Sequence, residues 1–216
     1  MAFALVNESK MKLILILLLS LLSIFALAQI LMASSTAKTE QHKYRVLKKY
    51  DSFEIREYEP ALFSRVSMKD STYKETASNG FRILAGYIFG NNESNQKIAM
   101  TSPVIMEFDS NATMKFMVPT GMQEKDLPKP SNSSISFEKQ EKKTMAVIEF
   151  GGWANDENIE KYKLKLSASL KKAGIEHSNK FIYMGYNPPY EIINRRNEVA
   201  VELTNYTVGL PGTTPN

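Results

Sequence analysis

The stretch YNPPYEIINRRNEVAVEL, running from Tyr186 to Leu203, joins a proline turn, a charged knot and an alternating run. Val199, Val201 and Leu203 alternate with Ala200 and Glu202, the period of two that marks a strand. Pro188 and Pro189 cannot donate to a sheet ladder, so they place a turn ahead of it. Between them lie Arg195, Arg196, Asn197 and Glu198. A cluster of this kind suits a catalytic site, an anion site or the joinery of a small barrel.

Working outward, the preceding segments repeat one plan. SISFEKQ and TMAVIEFGG read as strands, and Asn155 or Asp156 caps a helix running to about Lys172 and closed by Gly174. KFIYMGY and NEVAVEL are the closing strands. Upstream, YRVLKKY, SFEIREY and ALFSRVSM have the same alternation, with Pro60 at a turn. Thr72 and Glu75 form a capping box for a helix from about Tyr73 to Phe89, ended by Gly90. KIAMTSPVIMEF and TMKFMVP follow as strands, and EKDLPKPSNSS is a proline-rich connector. The spacing that carries Ala61 to Met145 also carries Thr113 to Asn197. The reading is one α+β domain made of two pseudo-symmetric β-β-α-β-β repeats, since neither half alone has strands enough to cover its helix.

Ahead of the domain, residues 13–33 are without charge and long enough to cross a bilayer as a helix. Lys10 and Lys12 precede the apolar run, and Ala26-Leu27-Ala28 forms a small-x-small site before Gln29. Residues 1–33 are thus a signal peptide or a single transmembrane anchor, with cleavage near Ala28 in the first case. The flanking lysines keep that end in the cytoplasm, so the domain is extracytoplasmic, either membrane-anchored or secreted. Residues 34–43 read as a polar tether, 44–206 as the domain and 207–216 as a disordered tail.

Composition narrows the chemistry. A formal net charge of +4 is too balanced for a nucleic-acid partner. Cysteine is absent and only His42 and His177 are present, which removes disulfides, thiol catalysis and multi-histidine metal sites. Both histidines read as surface residues, His42 in the tether and His177 in a loop. No Ser/His/Asp set, phosphate loop or convincing carboxylate pair appears, so no catalytic residue is assigned and the chain is expected not to be an enzyme. The methionines, Met100 among them, read as gap-filling core.

The first helix is the informative one. Tyr73, Ala77, Phe81, Leu84, Ala85 and Ile88 form the stripe expected to pack on the sheet. Opposite them fall Asn79, Gly80, Arg82, Ile83, Gly86 and Tyr87, where a solvated face would hold lysine and glutamate. Two glycines flatten this side, and isoleucine and tyrosine give it apolar area for a flat ligand or another chain. In the second helix, Ile159, Tyr162, Leu166, Leu170 and Ala173 form the core stripe beside a lysine-rich solvated face.

Taken together, YDSFEIREYEP, IFGNNESNQKIAMTSPV, DLPKP and YNPPYEIINRRNEVAVEL resemble, in this order, the SOUL heme-binding protein family from about Tyr44 to Leu203. The resemblance implies a distorted antiparallel β-barrel of two pseudo-symmetric halves with two helices. It implies that Arg195 and Arg196 close the barrel end by pairing with carboxylates. It also implies binding of heme or another tetrapyrrole on the exposed side of the first helix, at Arg82, Ile83, Gly86 and Tyr87, with no metal ligand. The chain departs from the animal members at Asn79, Tyr87 and Glu191, where basic residues assist binding in those members, and it lacks the histidine ligand of one branch. Weak tetrapyrrole binding is the leading expectation. The alternatives are an effector-binding or hydrolytic module with Glu191 lining a cleft, and a surface interaction protein with no small ligand.

Overall fold

The computed structural model describes residues 2–69, 72–108 and 111–206. It divides into two compact units, one of residues 1–38 with 188–193, the other of the remainder. The tail at 207–216 lies outside the described residues.

The first unit is the helix α1 (Ala2–Ala37) together with the Pro188–Ile193 segment. Its apolar stretch from Glu8 to Ser34 is long and hydrophobic enough to span a membrane, and its leucines and isoleucines are exposed. Ser20 and Ser23 return their hydroxyls to the Leu17 and Leu19 carbonyls, each at 2.8 Å. The helix continues through Ala37, and β1 (Glu40–Gln41) then pairs in parallel with β5 (Thr101–Ser102).

The second unit holds the sheet. Its strands are β2 (Tyr44–Lys49), β3 (Glu54–Tyr58), β4 (Ala61–Met68), β6 (Val104–Phe108), β7 (Ala112–Met117), β8 (Ile135–Gln140), β9 (Lys143–Phe150), β10 (His177–Gly185) and β11 (Asn197–Leu203). All pair antiparallel, in the order β2-β3-β9-β11-β10-β6-β7-β4-β8. About the β10–β6 seam, β11 and β7 lie equally far out, as do β9 and β4. Among the described residues no ladder joins β2 to β8, so the distorted barrel is an open, curled half-barrel.

Two helices sit on this sheet, α2 (Tyr73–Ile88) and α3 (Asp156–Lys172). Thr72 caps α2 by accepting from the Glu75 amide, and Asn155 caps α3 by accepting from the Asn158 amide. The main core lies beneath them, with Leu84, Ile88, Leu166, Leu170, Val199 and Val201 buried. A second cluster holds Tyr58, Phe63, Met117, Met184 and Tyr186. The strand pleat separates the two, since neighbours such as Val199 and Ala200 point to opposite faces.

Candidate functional site

The charged knot resolves as joinery. Glu198 is fully buried on β11 and accepts from Arg56 Nη1 at 2.9 Å, from Arg196 Nη2 at 2.6 Å and from the Tyr186 hydroxyl at 2.8 Å. Arg56 also pairs with Glu54 at 2.8 Å and lies over the Tyr44 ring. Burial is the largest single influence on Arg56 and opposes its charge, but the charge interactions and hydrogen bonds with Glu198 and Tyr58 together raise the pKa. Asn197 accepts from the Tyr183 hydroxyl at 2.7 Å and donates to the Gly152 carbonyl at 2.9 Å. Arg195 stacks on the exposed Trp153 ring. Arg196, Asn197 and Glu198 thus tie four strand segments together at the barrel end.

Helix α2 is rotated from the phase its sequence suggests. Gly80 is buried, and a Cβ there would meet Met68 Cε at 2.8 Å and Met114 Cβ at 3.1 Å. Its role is close approach to the sheet, not a flat outer face. Tyr87, seven residues on, shares that inward side with Thr76, Gly80 and Leu84. The ring is 1% exposed, and the hydroxyl donates to the Pro128 carbonyl at 2.9 Å. Burial pushes its pKa up to about 12. Tyr87 therefore does not present an exposed ring to a ligand, and the expectation that it does is corrected here.

The outward strip consists of other residues. Arg82 is exposed, Gly86 is partly exposed, and Ile83 leans on the core from the rim. A Cβ at Gly86 would meet nothing nearer than Asn91 at 3.9 Å. Phe89, the helix C-cap, is 60% exposed. Arg82, Gly86 and Phe89 follow at i, i+4 and i+7, the spacing of one helix face. The sequence places Phe89 at the helix end, yet its spacing from Arg82 and Gly86 puts it on the same face.

His42 does not face solvent as expected of a surface residue, and His177 does so only in part. His42 is buried between the rings of Tyr58 and Phe63, with Nε2 at 2.7 Å from the Glu59 carbonyl. Desolvation lowers its pKa, and the contact with Glu59 only partly offsets this. His177 is half-buried on β10 beside Phe181. Met100 packs against the main core. Among the described residues no group of three or more His, Cys, Asp or Glu side chains could hold a metal ion. Glu191, expected to line a cleft, is buried and accepts from the Thr36 hydroxyl at 2.7 Å.

A separate concavity of about 280 Å³ opens between the starts of α2 and α3. Tyr73, Phe108, Phe181 and Tyr183 supply aromatic walls, and Asp156 and Glu160 supply carboxylates. Asp156 already accepts from the Tyr73 amide at 2.7 Å, and Glu160 pairs with Lys163.

The SOUL heme-binding protein model matches residues 39–202. The chain belongs to the SOUL family. Human (Homo sapiens) heme-binding protein 2 is 32% identical over 157 residues, covering 68% of this chain and 76% of that protein. Heme-binding protein 1 of Xenopus laevis is 30% identical over 156 residues, covering 68% and 82%. The matched SOUL region holds the whole nine-stranded sheet except the end of β11, and both packed helices. The crystal structure of the EcmrR C-terminal domain shares the fold of this SOUL chain, with a TM-score of 0.57 at 8% identity, covering 76% of this chain and 99% of that one.

Proposed function

We propose that this protein binds heme or another tetrapyrrole on the outer strip of α2, without an axial ligand from the protein. The carrying observation is the exposed Phe89 aligned with open Gly86 and exposed Arg82, on a chain of a heme-binding family. The macrocycle brings a flat apolar face and two carboxylates. Gly86 lets it approach the helix, Phe89 and Ile83 take its face, and the Arg82 guanidinium pairs with a propionate. Tyr87 supports this strip from beneath by holding the helix to Pro128. The residues fit the ring but offer no histidine or cysteine to the iron on this strip, so affinity rests on apolar contact and one ion pair.

Anchoring completes the reading. Helix α1 remains attached as a single transmembrane anchor, and the SOUL domain lies outside the cytoplasm. This is supported by the length of the span and by serine hydroxyls bonded within it, as hydrocarbon demands.

Titration of the full chain with hemin and with iron-free protoporphyrin tests the binding mode. Comparable saturable quenching by both is expected. Saturation by hemin alone, with a spectrum of axial ligation, would overturn it. A second reading follows from the concavity between α2 and α3, which at about 280 Å³ is below the usual size of ligand pockets, roughly 300–1,000 Å³. It suits a single-ring effector and not a tetrapyrrole. Failure of both porphyrins to bind, with thermal stabilisation by small aromatic amines, would favour that reading.

A further inference from the structure

In PPYEII, the segment from Pro188 to Ile193, three large apolar side chains are open to solvent: Tyr190 at 61%, Ile192 at 47% and Ile193 at 51% exposed. A turn in water is normally built from small and polar residues. This one places an aromatic ring and two isoleucines outside, while its one charged residue, Glu191, is buried. The polarity is inverted.

Hydrogen bonds fix where the segment lies along α1. Gln29 Nε2 donates to the Tyr190 carbonyl at 3.3 Å, and the Ile192 amide donates to Gln29 Oε1 at 3.2 Å. Farther along the helix, the Thr36 hydroxyl donates to Glu191 Oε2 at 2.7 Å. Gln29 sits five residues before Ser34, the last residue of the span, so the Tyr190–Ile192 backbone lies about 7–8 Å inside its end at a rise of 1.5 Å per residue. That depth matches the ~5–10 Å at which interfacial apolar faces sit between headgroups and acyl chains. Thr36 lies beyond the span, so the Glu191 carboxylate points to the headgroup side.

The same contacts answer a second problem. A primary amide inside an apolar span is costly unless both its donor and its acceptor are engaged. Gln29 meets this by bonding the loop, and the bonds satisfy the Tyr190 carbonyl and the Ile192 amide as well. Irregular backbone at membrane depth is tolerated only under such conditions. Tyrosine is also a residue favoured at the membrane boundary.

We infer that Pro188–Ile193 is a second membrane-contacting element, inserting Tyr190, Ile192 and Ile193 into the lipid interface beside the end of α1. The inference rests on the anchoring reading. The domain is then held to the bilayer at two points of its sequence, the anchor and a loop 150-odd residues later, and not by a single tether.

Depth-resolved quenching tests it with the full chain in phosphatidylcholine vesicles. Trp153 is the single tryptophan, so Trp153→Phe gives a silent background that keeps a ring for Arg195. Into it are placed Tyr190→Trp or, separately, Leu19→Trp within the span. Lipids brominated near the headgroup should quench position 190 and shift its emission to the blue, while lipids brominated near the chain ends should quench position 19. Adding Gln29→Leu should reduce the quenching at 190 and leave that at 19 unchanged. Quenching at 19 without quenching at 190 overturns the loop insertion and leaves the anchor standing. Quenching at neither position overturns the anchor and the loop insertion together.

Discussion

Replacing Glu198 by glutamine should be the most damaging single-atom change in the domain. Four hydrogen bonds converge on this carboxylate: one from Arg56, two from Arg196 and one from Tyr186. Arg56 is 4% exposed and Glu198 is fully buried, so the amide leaves the Arg56 charge poorly compensated. Removing one partner of a buried pair costs about 3–5 kcal/mol. Glu54 remains at 2.8 Å from Arg56 and moderates the loss, which places it at the lower end, ~3 kcal/mol. For a domain of this size that is a fall in Tm of about 6–12 °C. Urea unfolding followed by circular dichroism measures it. The pair Arg56→Met with Glu198→Leu should recover part of the loss, since it removes the buried ion pair and fills the site with apolar volume, while Arg196 keeps Glu149 and the Tyr186 hydroxyl loses its acceptor. A Glu198→Gln loss below ~1 kcal/mol, the scale of a surface ion pair, would refute the buried-network account. So would a double variant less stable than the single one, because the cost would then come from lost packing.

Three further outcomes follow from the same geometry. Gly80→Ala should destabilise by ~1–3 kcal/mol because Met114 Cβ must yield, whereas Gly86→Ala should stabilise by up to ~1 kcal/mol; equal urea midpoints would contradict the helix phase. His42 has its folded pKa lowered, so its contribution is complete above the unfolded value of 6.5 and is lost as the pH falls from 6.5 through the folded value. The unfolded chain takes up the proton first over that window. His42→Gln should therefore flatten the dependence of Tm on pH below 6.5, and an unchanged slope would show that another group is responsible. Tyr87→Glu should collapse the thermal melt, since it places a carboxylate in the core, while Phe89→Glu should leave the melt near that of the parent chain.

The sheet was readable because its strands alternate cleanly, and both helix starts were readable from Thr72 and Asn155. What local pattern could not show was the partner across the chain. Tyr73, Ala77 and Phe81 made a plausible apolar stripe, and they do pack against the core at its rim. The phase was decided elsewhere, by Met68 and Met114 pressing on Gly80 and by the Pro128 carbonyl accepting from Tyr87, 41 residues away in sequence. His42 was misplaced for a similar reason. The polar residues around it looked like a tether, but β1 pairs with β5 and draws the ring between Tyr58 and Phe63. The residues of the RRNE knot alone left catalytic, anion-binding and joinery roles open, and only the family resemblance favoured joinery; Arg56 as a partner of Glu198 was not legible.

Paramagnetic broadening maps the tetrapyrrole most directly. With hemin added to isotopically labelled full chain in detergent, the amide signals of Ser78, Arg82, Gly86 and Phe89 should broaden first, and Arg82→Glu with Phe89→Glu should abolish the effect without shifting the melt. Broadening centred instead on Asp156, Asn179 and Phe181 would place the ligand in the cleft between α2 and α3 and contradict the assignment to the outer strip of α2.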